Sequence, residues 1–140
     1  MAKNNEPKIT ELSFSDFLQL IEKKEFKSLL GKKVSLIGKV LNAGEKVLTL
    51  GNPCGESQNI YLISYNPDIL RPLREGEPYT EKKVYVRAII HININDEEQP
   101  VFVLEKIHIL QKFNSEIYMK LLELEKVIIG ELYGEMDRNL

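Results

Sequence analysis

The residue types that most often carry catalysis are sparse in this sequence. The two histidines, His91 and His108, lack metal-ligand spacing, and the single cysteine, Cys54, has no partner at zinc-site spacing. The glycine-bounded stretch 51–55 lacks the Gly-Lys-Ser/Thr ending of a phosphate-binding loop. No acid–base pair is identifiable beside Cys54 that would activate its thiol. These features predict a protein that is not an enzyme and that has neither a cofactor nor a metal site.

A different chemistry is open to the aromatic and cationic side chains. Single-stranded nucleic acids are held by basic groups that track the phosphates and by aromatic rings on which bases stack. Tyr61 and Tyr65 share one face of a strand predicted over 59–65, and Tyr85 and Arg87 lie on another predicted strand. Whether these side chains work together depends on the elements that carry them.

The segment 32–41 is predicted to be the first strand of a small barrel, because its residues alternate with a period of two. Gly38 inside it permits a bulge, a sharp bend or the close approach of another backbone. We predict that this strand coils strongly enough to serve both halves of a closed sheet. Its core face carries Val34, Leu36 and Val40, and its other face carries Ser35, Ile37, Lys39 and Leu41.

Four further strands are predicted, over 46–50, 59–65, 82–93 and 100–110, and the first three of these continue the period of two. The last of the four is apolar on both faces, which predicts burial on both sides.

Helices are predicted where apolar residues recur at helical spacing after a capping residue. Pro72 limits the middle one to a turn or two. We predict a first helix over 16–30, capped by Ser13 or Ser15. A second, short helix is predicted to begin after its cap, Asn66. A third helix is predicted over 115–133, capped by Ser115.

The charge and composition narrow the class of protein. A formal net charge of -2 and a pI of about 5.8 count against a protein that coats duplex DNA by bulk charge. A single cysteine makes a reducing cytoplasm the expected compartment. No apolar run approaches the ~20 residues that span a bilayer, so no membrane partner is expected.

The predicted order over 32–110 is strand, strand, strand, short helix, strand, strand. This order resembles the OB-fold, a five-stranded Greek-key barrel that binds oligonucleotides and oligosaccharides. The run Lys-Val-Ser-Leu-Ile-Gly-Lys-Val at 33–40 is similar to the first strand of the replication protein A and tRNA-anticodon-binding branches. The long last helix is similar to that of the small subunits of replication protein A and related telomere-capping complexes, where it assembles subunits.

The resemblance implies a mainly β fold with flanking helices. Its parts are a polar tail and N-terminal helix over 1–31, an OB-fold barrel over 32–110, and a C-terminal helix and tail over 111–140. It also implies that the ligand lies over the second and third strands. The candidates for nucleic-acid binding are then Lys39, Lys46, Tyr61, Tyr65 and Arg87.

Other interpretations of the same residues stay open. A tyrosine on a strand more often packs half-buried under a helix, and lysines at strand ends often serve only to protect an edge. The loop 93–99 is acidic at Asp96, Glu97 and Glu98, and it would repel phosphate.

The predicted C-terminal helix has a broad apolar stripe. If the barrel does not cover all of it, the remainder marks a surface for a second subunit or a second copy of the chain. The alternative is a helix folded back against the first helix of its own domain. The stripe consists of Ile117, Leu121, Leu124, Ile128 and Leu132.

Two functions follow from these observations. The first is a protein, or the small subunit of a complex, that binds single-stranded DNA or RNA. The second is a protein-interaction module whose barrel has no nucleic-acid ligand. The tyrosines and the resemblance favour the first function, and the acidic loop and the pI favour the second.

Overall fold

The computed structural model describes residues 9–55, 58–76 and 83–138, with side chains described as far as residue 127 apart from residue 126. The predicted mainly β fold with flanking helices is confirmed. The elements are β1 (Ile9–Glu11), α1 (Phe14–Glu22), a 3₁₀ helix (Phe26–Leu29), β2 (Lys33–Ala43), β3 (Val47–Gly51), β4 (Asn59–Ile63), α2 (Pro67–Glu75), β5 (Tyr85–Ile94), β6 (Pro100–Leu110) and α3 (Ser115–Arg138). Within the described residues, no helix combines the length and apolar character needed to cross a membrane.

The six strands form one sheet in the order β1-β2-β3-β4-β6-β5, and β5 also pairs with β2. The first part of β2 pairs with β5 and its last part with β3, so β2 serves both halves of the sheet, as predicted. A parallel pair between Ile63 and Val103 joins β4 to β6. Pairing among the strands β2 to β6 therefore returns to the strand on which it began.

The alternation along β2 places the core. Val34, Leu36 and Val40 are buried, as predicted. Gly38 has a different role from the one predicted, because a Cβ there would lie 3.0 Å from the Cβ of Leu50, which is a side chain and not another backbone. The glycine therefore allows the Leu50 side chain to pack directly on the strand. The pairing of β2 with β3 shifts its register between Val40 and Asn42 instead.

The N-terminal helix is shorter than predicted. The Ser13 hydroxyl caps it as expected, accepting the N–H of Asp16 at 3.1 Å. The helix ends at Glu22 instead of near residue 30, because Lys24 has a φ of +57° and so leaves the helical conformation. The 3₁₀ helix that follows buries Phe26 and Leu29 in the core.

The segment before α1 also differs from the predicted tail and helix. Residues Ile9–Glu11 form a strand that pairs in parallel with the beginning of β2. Two residues of β1 are exposed, and three residues give too little sequence to show a period of two.

The middle helix is longer than Pro72 suggested. Asn66 caps it, as predicted, by accepting the N–H of Asp68 at 3.0 Å. The helix then continues through Pro72 to Glu75. A proline inside a helix costs about 3 kcal/mol. Burial of Leu70 and Leu73 stabilises the helix by about 1.5–3 kcal/mol each, which offsets that cost.

The prediction that β6 is buried on both sides is wrong beyond its first half. Val103 and Leu104 are buried, whereas Lys106 and His108 are exposed and Ile109 is 43% exposed. The short α2 borders only an open cleft along this part of the strand, so the outer face of β6 stays in contact with solvent.

The last helix is capped by Asn114 instead of Ser115. The Asn114 side-chain oxygen accepts the N–H groups of Glu116 and Ile117 at 3.0 and 3.1 Å. The helix continues past the predicted end at residue 133 to Arg138.

The beginning of α3 lies against the outer face of β2 and β5. Tyr118 and Leu122 line a narrow cleft together with Ile37 and Arg87. The Phe113 ring packs at a tilt between β5 and α3, with its centroid 4.6 Å from that of Tyr85 and 5.3 Å from that of Tyr118. This cover explains why Ile37 is buried although it lies on the face of β2 opposite the core.

Candidate nucleic-acid interface

No described part of the chain covers the outer face of β3 and β4. On these strands every second side chain enters the core, including Leu48 and Leu62. The side chains between them point outward, and Thr49 lies directly opposite Tyr61. We call the outward residues here the tyrosine surface, which comprises Leu41, Val47, Thr49, Tyr61, Ile63 and Tyr65.

The two tyrosines are largely exposed. Tyr61 is 61% exposed and Tyr65 is 76% exposed, so neither is half-packed beneath a helix. Tyr65 does not lie on the strand as predicted, because β4 ends at Ile63. It stands on the next bend, where the Ser64 N–H donates to the carbonyl of Lys46 at 2.7 Å. That bond keeps Tyr65 at the end of the same hairpin.

Both candidate lysines border the tyrosine surface. Lys39 is on β2, opposite Gly51 of β3, and its side chain is half-buried. Lys46 precedes β3, and its side chain is exposed. The structure therefore places one cation near each end of the β3 strand, as a backbone-tracking ligand requires.

Arg87 is not part of this surface. Its Nη1 atom lies 2.9 Å from Oε1 of Glu11 and 3.3 Å from the Ser35 hydroxyl. Tyr118 lines the same cleft, where burial raises the pKa of its hydroxyl, so this group stays neutral at physiological pH. Arg87 thus links β1 to the sheet beneath α3, and we omit it from the interface.

Sequence reasoning missed two apolar members of the surface. Leu41 and Val47 are each 39% exposed beside the tyrosines. The alternation along β2 had assigned Leu41 to the face opposite the core, and an apolar residue on that face was the signal available.

The two histidines lie apart in the sheet. His91 lies opposite Val103 and His108 opposite Arg87 in the β5–β6 ladder, which separates the two imidazoles. Among the described residues, no three His, Cys, Asp or Glu side chains come together as ligands for a metal. The acidic loop is a tight turn, in which Oδ1 of Asn95 accepts the N–H groups of Glu97 and Gln99, both at 2.9 Å.

The predicted partner stripe on α3 is exposed where its side chains are described. Ile117 and Leu121 are each 56% exposed and Leu124 is 53% exposed, and Val127 extends the stripe. The side chains of Ile128 and Leu132, which belong to the same prediction, lie outside the described residues. The helix therefore presents one face to the sheet and another to solvent.

Comparisons with known proteins give structural likenesses only. No family model and no curated protein matches the chain. The structure of U. maydis replication protein A bound to ssDNA is similar at a TM-score of 0.49 and 11% identity, over 87% of this chain and 93% of that chain. The S. pombe Stn1-Ten1 complex is similar at a TM-score of 0.46 and 15% identity, over 69% of this chain and 72% of that chain.

At TM-scores below 0.5, neither likeness carries a conclusion about this chain. The order of strands β2 to β6, with α2 between β4 and β5, is the one expected from the sequence. In the order of these elements and the pairing of its strands, the chain resembles the OB-fold.

Proposed function

We propose that this chain is a non-enzymatic OB-fold protein that binds single-stranded DNA or RNA across the tyrosine surface. The five strands β2 to β6 act as the barrel, and the ligand lies along the outside of β3 and β4. The observation that carries the proposal is the exposure of Tyr61 and Tyr65 at the outer face of β3 and β4.

Base stacking supplies most of the attraction in this mechanism. An aromatic ring that stacks on a base contributes about 1–3 kcal/mol, and every base has a face that can stack. Leu41 and Val47 extend the apolar area around Tyr61, so the bound bases lose contact with water. The surface therefore favours unpaired strands, whose bases are free to stack.

Phosphate contacts supply the remainder. Lys39 and Lys46 border the surface, and each neutralises about one phosphate when a strand is bound. The carboxylates of Glu97 and Glu98 in the acidic turn oppose this attraction to phosphate. Because salt screens repulsion as well as attraction, the salt dependence of binding reports the phosphate contacts of the lysines.

Replacing both lysines by glutamine (Lys39→Gln with Lys46→Gln) is expected to flatten the salt dependence of binding. For single strands, each lost phosphate contact lowers the slope of log K against log salt by about 0.7, so two contacts lower it by about 1.4. Fluorescence anisotropy with labelled DNA and RNA of about 16 nucleotides measures this slope between about 50 and 200 mM salt.

Lys106→Gln is the matched control, because Lys106 is exposed on β6 and outside the tyrosine surface. It should leave the slope near that of the wild type. If the wild-type protein binds neither DNA nor RNA at low salt, the proposed function is wrong and the interaction module becomes the better description.

A second role is favoured by the exposed stripe on α3. Ile117, Leu121 and Leu124 repeat at intervals of four and three, which is the spacing by which two helices pack. Tyr118 and Leu122 already face the sheet, so folding α3 onto its own domain does not cover the stripe. We propose that this stripe holds a second protein subunit or a second copy of the chain.

Replacing Leu121 and Leu124 by glutamine is expected to weaken that association by about 100-fold or more. Each buried leucine contributes about 1.5–3 kcal/mol, and about 1.4 kcal/mol is tenfold. Sedimentation of the intact chain at several concentrations measures the change. Glu123→Gln, on an exposed neighbouring position, is the control and should sediment as the wild type does. A wild-type chain that is monomeric at every concentration excludes self-association and leaves only a different subunit as the partner.

A further inference from the structure

A cavity of about 330 Å³ opens beside the tyrosine surface. It lies between the end of β2, the loop after β3 and the first turns of α3. Its volume is at the lower end of the range for ligand sites, which start near 300 Å³. The side chains that decide its chemistry are Lys39, Leu41, Cys54, Lys83, Glu116 and Met119.

The loop wall of this cavity is built by a buried side chain. Asn52 is 3% exposed, and its Nδ2 donates to the Ser15 hydroxyl and to Oε1 of Gln58, both at 3.2 Å. Its Oδ1 accepts the N–H of Cys54 at 2.9 Å. Both N–H groups and the oxygen of this amide side chain make hydrogen bonds, so residues 52–54 of the loop are held in place before any ligand arrives.

The wall next to Leu41 also depends on the absence of a side chain. A Cβ at Gly51 would lie 3.0 Å from Cδ1 of Leu41. Glycine therefore lets Leu41 lie flat over β3, where it belongs both to the tyrosine surface and to the cavity.

The lining combines two amines with an apolar floor. Lys39 and Lys83 are cations that attract phosphate, and Glu116 is a carboxylate that opposes them, which leaves a net positive charge. Leu41 and Met119 offer apolar contact to a flat ring. A phosphate joined to a flat heterocycle, that is, one nucleotide, matches both halves of this lining.

The cavity continues the path of the proposed strand. Asn59 also lines it, and Asn59 and Tyr61 are alternate residues on the outer side of β4. Alternate residues of a strand are about 7 Å apart, which is within the reach of successive nucleotides.

We propose that this cavity is a subsite that receives one nucleotide of the bound single strand, with its base over Leu41 and Met119 and its phosphate between Lys39 and Lys83. The inference rests on the proposed function and adds to it a defined end of the binding path. It also gives α3 a part in nucleic-acid binding, because Met119 and Glu116 come from its first turns.

The alkylation rate of Cys54 can report whether this subsite is occupied. Cys54 is the only cysteine in the sequence, and it lines the cavity at intermediate exposure. We expect a saturating thymidylate DNA of about 16 nucleotides to slow alkylation of Cys54 by N-ethylmaleimide at least about fivefold. In a control chain with Cys54→Ser and Ser28→Cys, the thiol lies on the exposed 3₁₀ helix, and the same DNA should not change its rate.

Two charge variants test the same subsite through affinity. Lys83→Gln should weaken binding and Glu116→Gln should strengthen it, each by about two- to fivefold, because single partly exposed charges have opposite effects on a phosphate. If the two substitutions changed the affinity in the same direction, or did not change it, the proposed subsite would be wrong.

The outcomes separate the subsite from the proposed function. If DNA binds but Cys54 reacts at one rate in the free and bound protein, the subsite is wrong and the tyrosine surface still binds. If the wild-type chain binds no strand in the anisotropy measurement, both proposals are wrong together.

Discussion

Replacing Tyr61 and Tyr65 together by alanine is expected to lower the affinity for single-stranded nucleic acid by at least about 30-fold. Each tyrosine that stacks on a base contributes about 1–3 kcal/mol, and each 1.4 kcal/mol is tenfold in affinity. Both rings are more than half exposed, so removing them should leave the fold intact. Anisotropy at one fixed salt concentration measures the loss, since salt changes affinity by itself.

The matched control for this pair is Ile109→Ala. Ile109 is 43% exposed on β6 and lies outside the tyrosine surface, so its loss removes a comparable exposed side chain elsewhere. We expect wild-type affinity from this variant. The free energy of unfolding of all these variants, measured by thermal denaturation, should differ from that of the wild type by no more than about 0.5 kcal/mol, as is usual for surface substitutions. An unchanged affinity in the double tyrosine variant would mean that strands, if bound, lie elsewhere.

Leu62→Ala is expected to lower the free energy of unfolding by about 2–5 kcal/mol. Leu62 is fully buried, with 0% exposure, although it follows Tyr61 directly in the chain. Truncating a buried leucine loses its transfer free energy and leaves a cavity that the neighbouring side chains fill only partly. Denaturation by urea, followed by circular dichroism, measures the change, with Ile109→Ala on the exposed part of β6 as the control.

Substitutions at the neighbouring residues Tyr61 and Leu62 should have opposite effects on binding and on stability. At a temperature where Leu62→Ala remains folded, we expect it to bind single strands as tightly as the wild type. The Tyr61→Ala variant should instead bind single strands weakly and have the same free energy of unfolding as the wild type. If both substitutions changed stability and binding alike, Tyr61 and Leu62 would not lie on opposite faces of β4, and the assignment of the tyrosine surface would be wrong.

The sequence predicted a helix or strand correctly where a clear periodicity or a capping residue was present. The period of two identified strands β2 to β5, and a run that is apolar on both faces identified β6. The predicted caps at Ser13 and Asn66 are in place. The predicted helix bounds were wrong where packing against the core overrode the local conformational preference of the sequence. Lys24 adopts a left-handed conformation that brings the 3₁₀ helix to the core, and α2 continues through Pro72 because two buried leucines stabilise it.

Alternation in the sequence determined which side chains of each strand enter the core, since successive side chains of a strand point to opposite faces. It could not decide which outer faces stay open to a ligand. That was settled by contacts between distant segments: α3 covers Ile37 on β2, and Glu11 of β1 pairs with Arg87, 76 residues further along the chain. The outer side of β3 and β4 receives no such cover in the described chain, so only there are the predicted tyrosines left exposed.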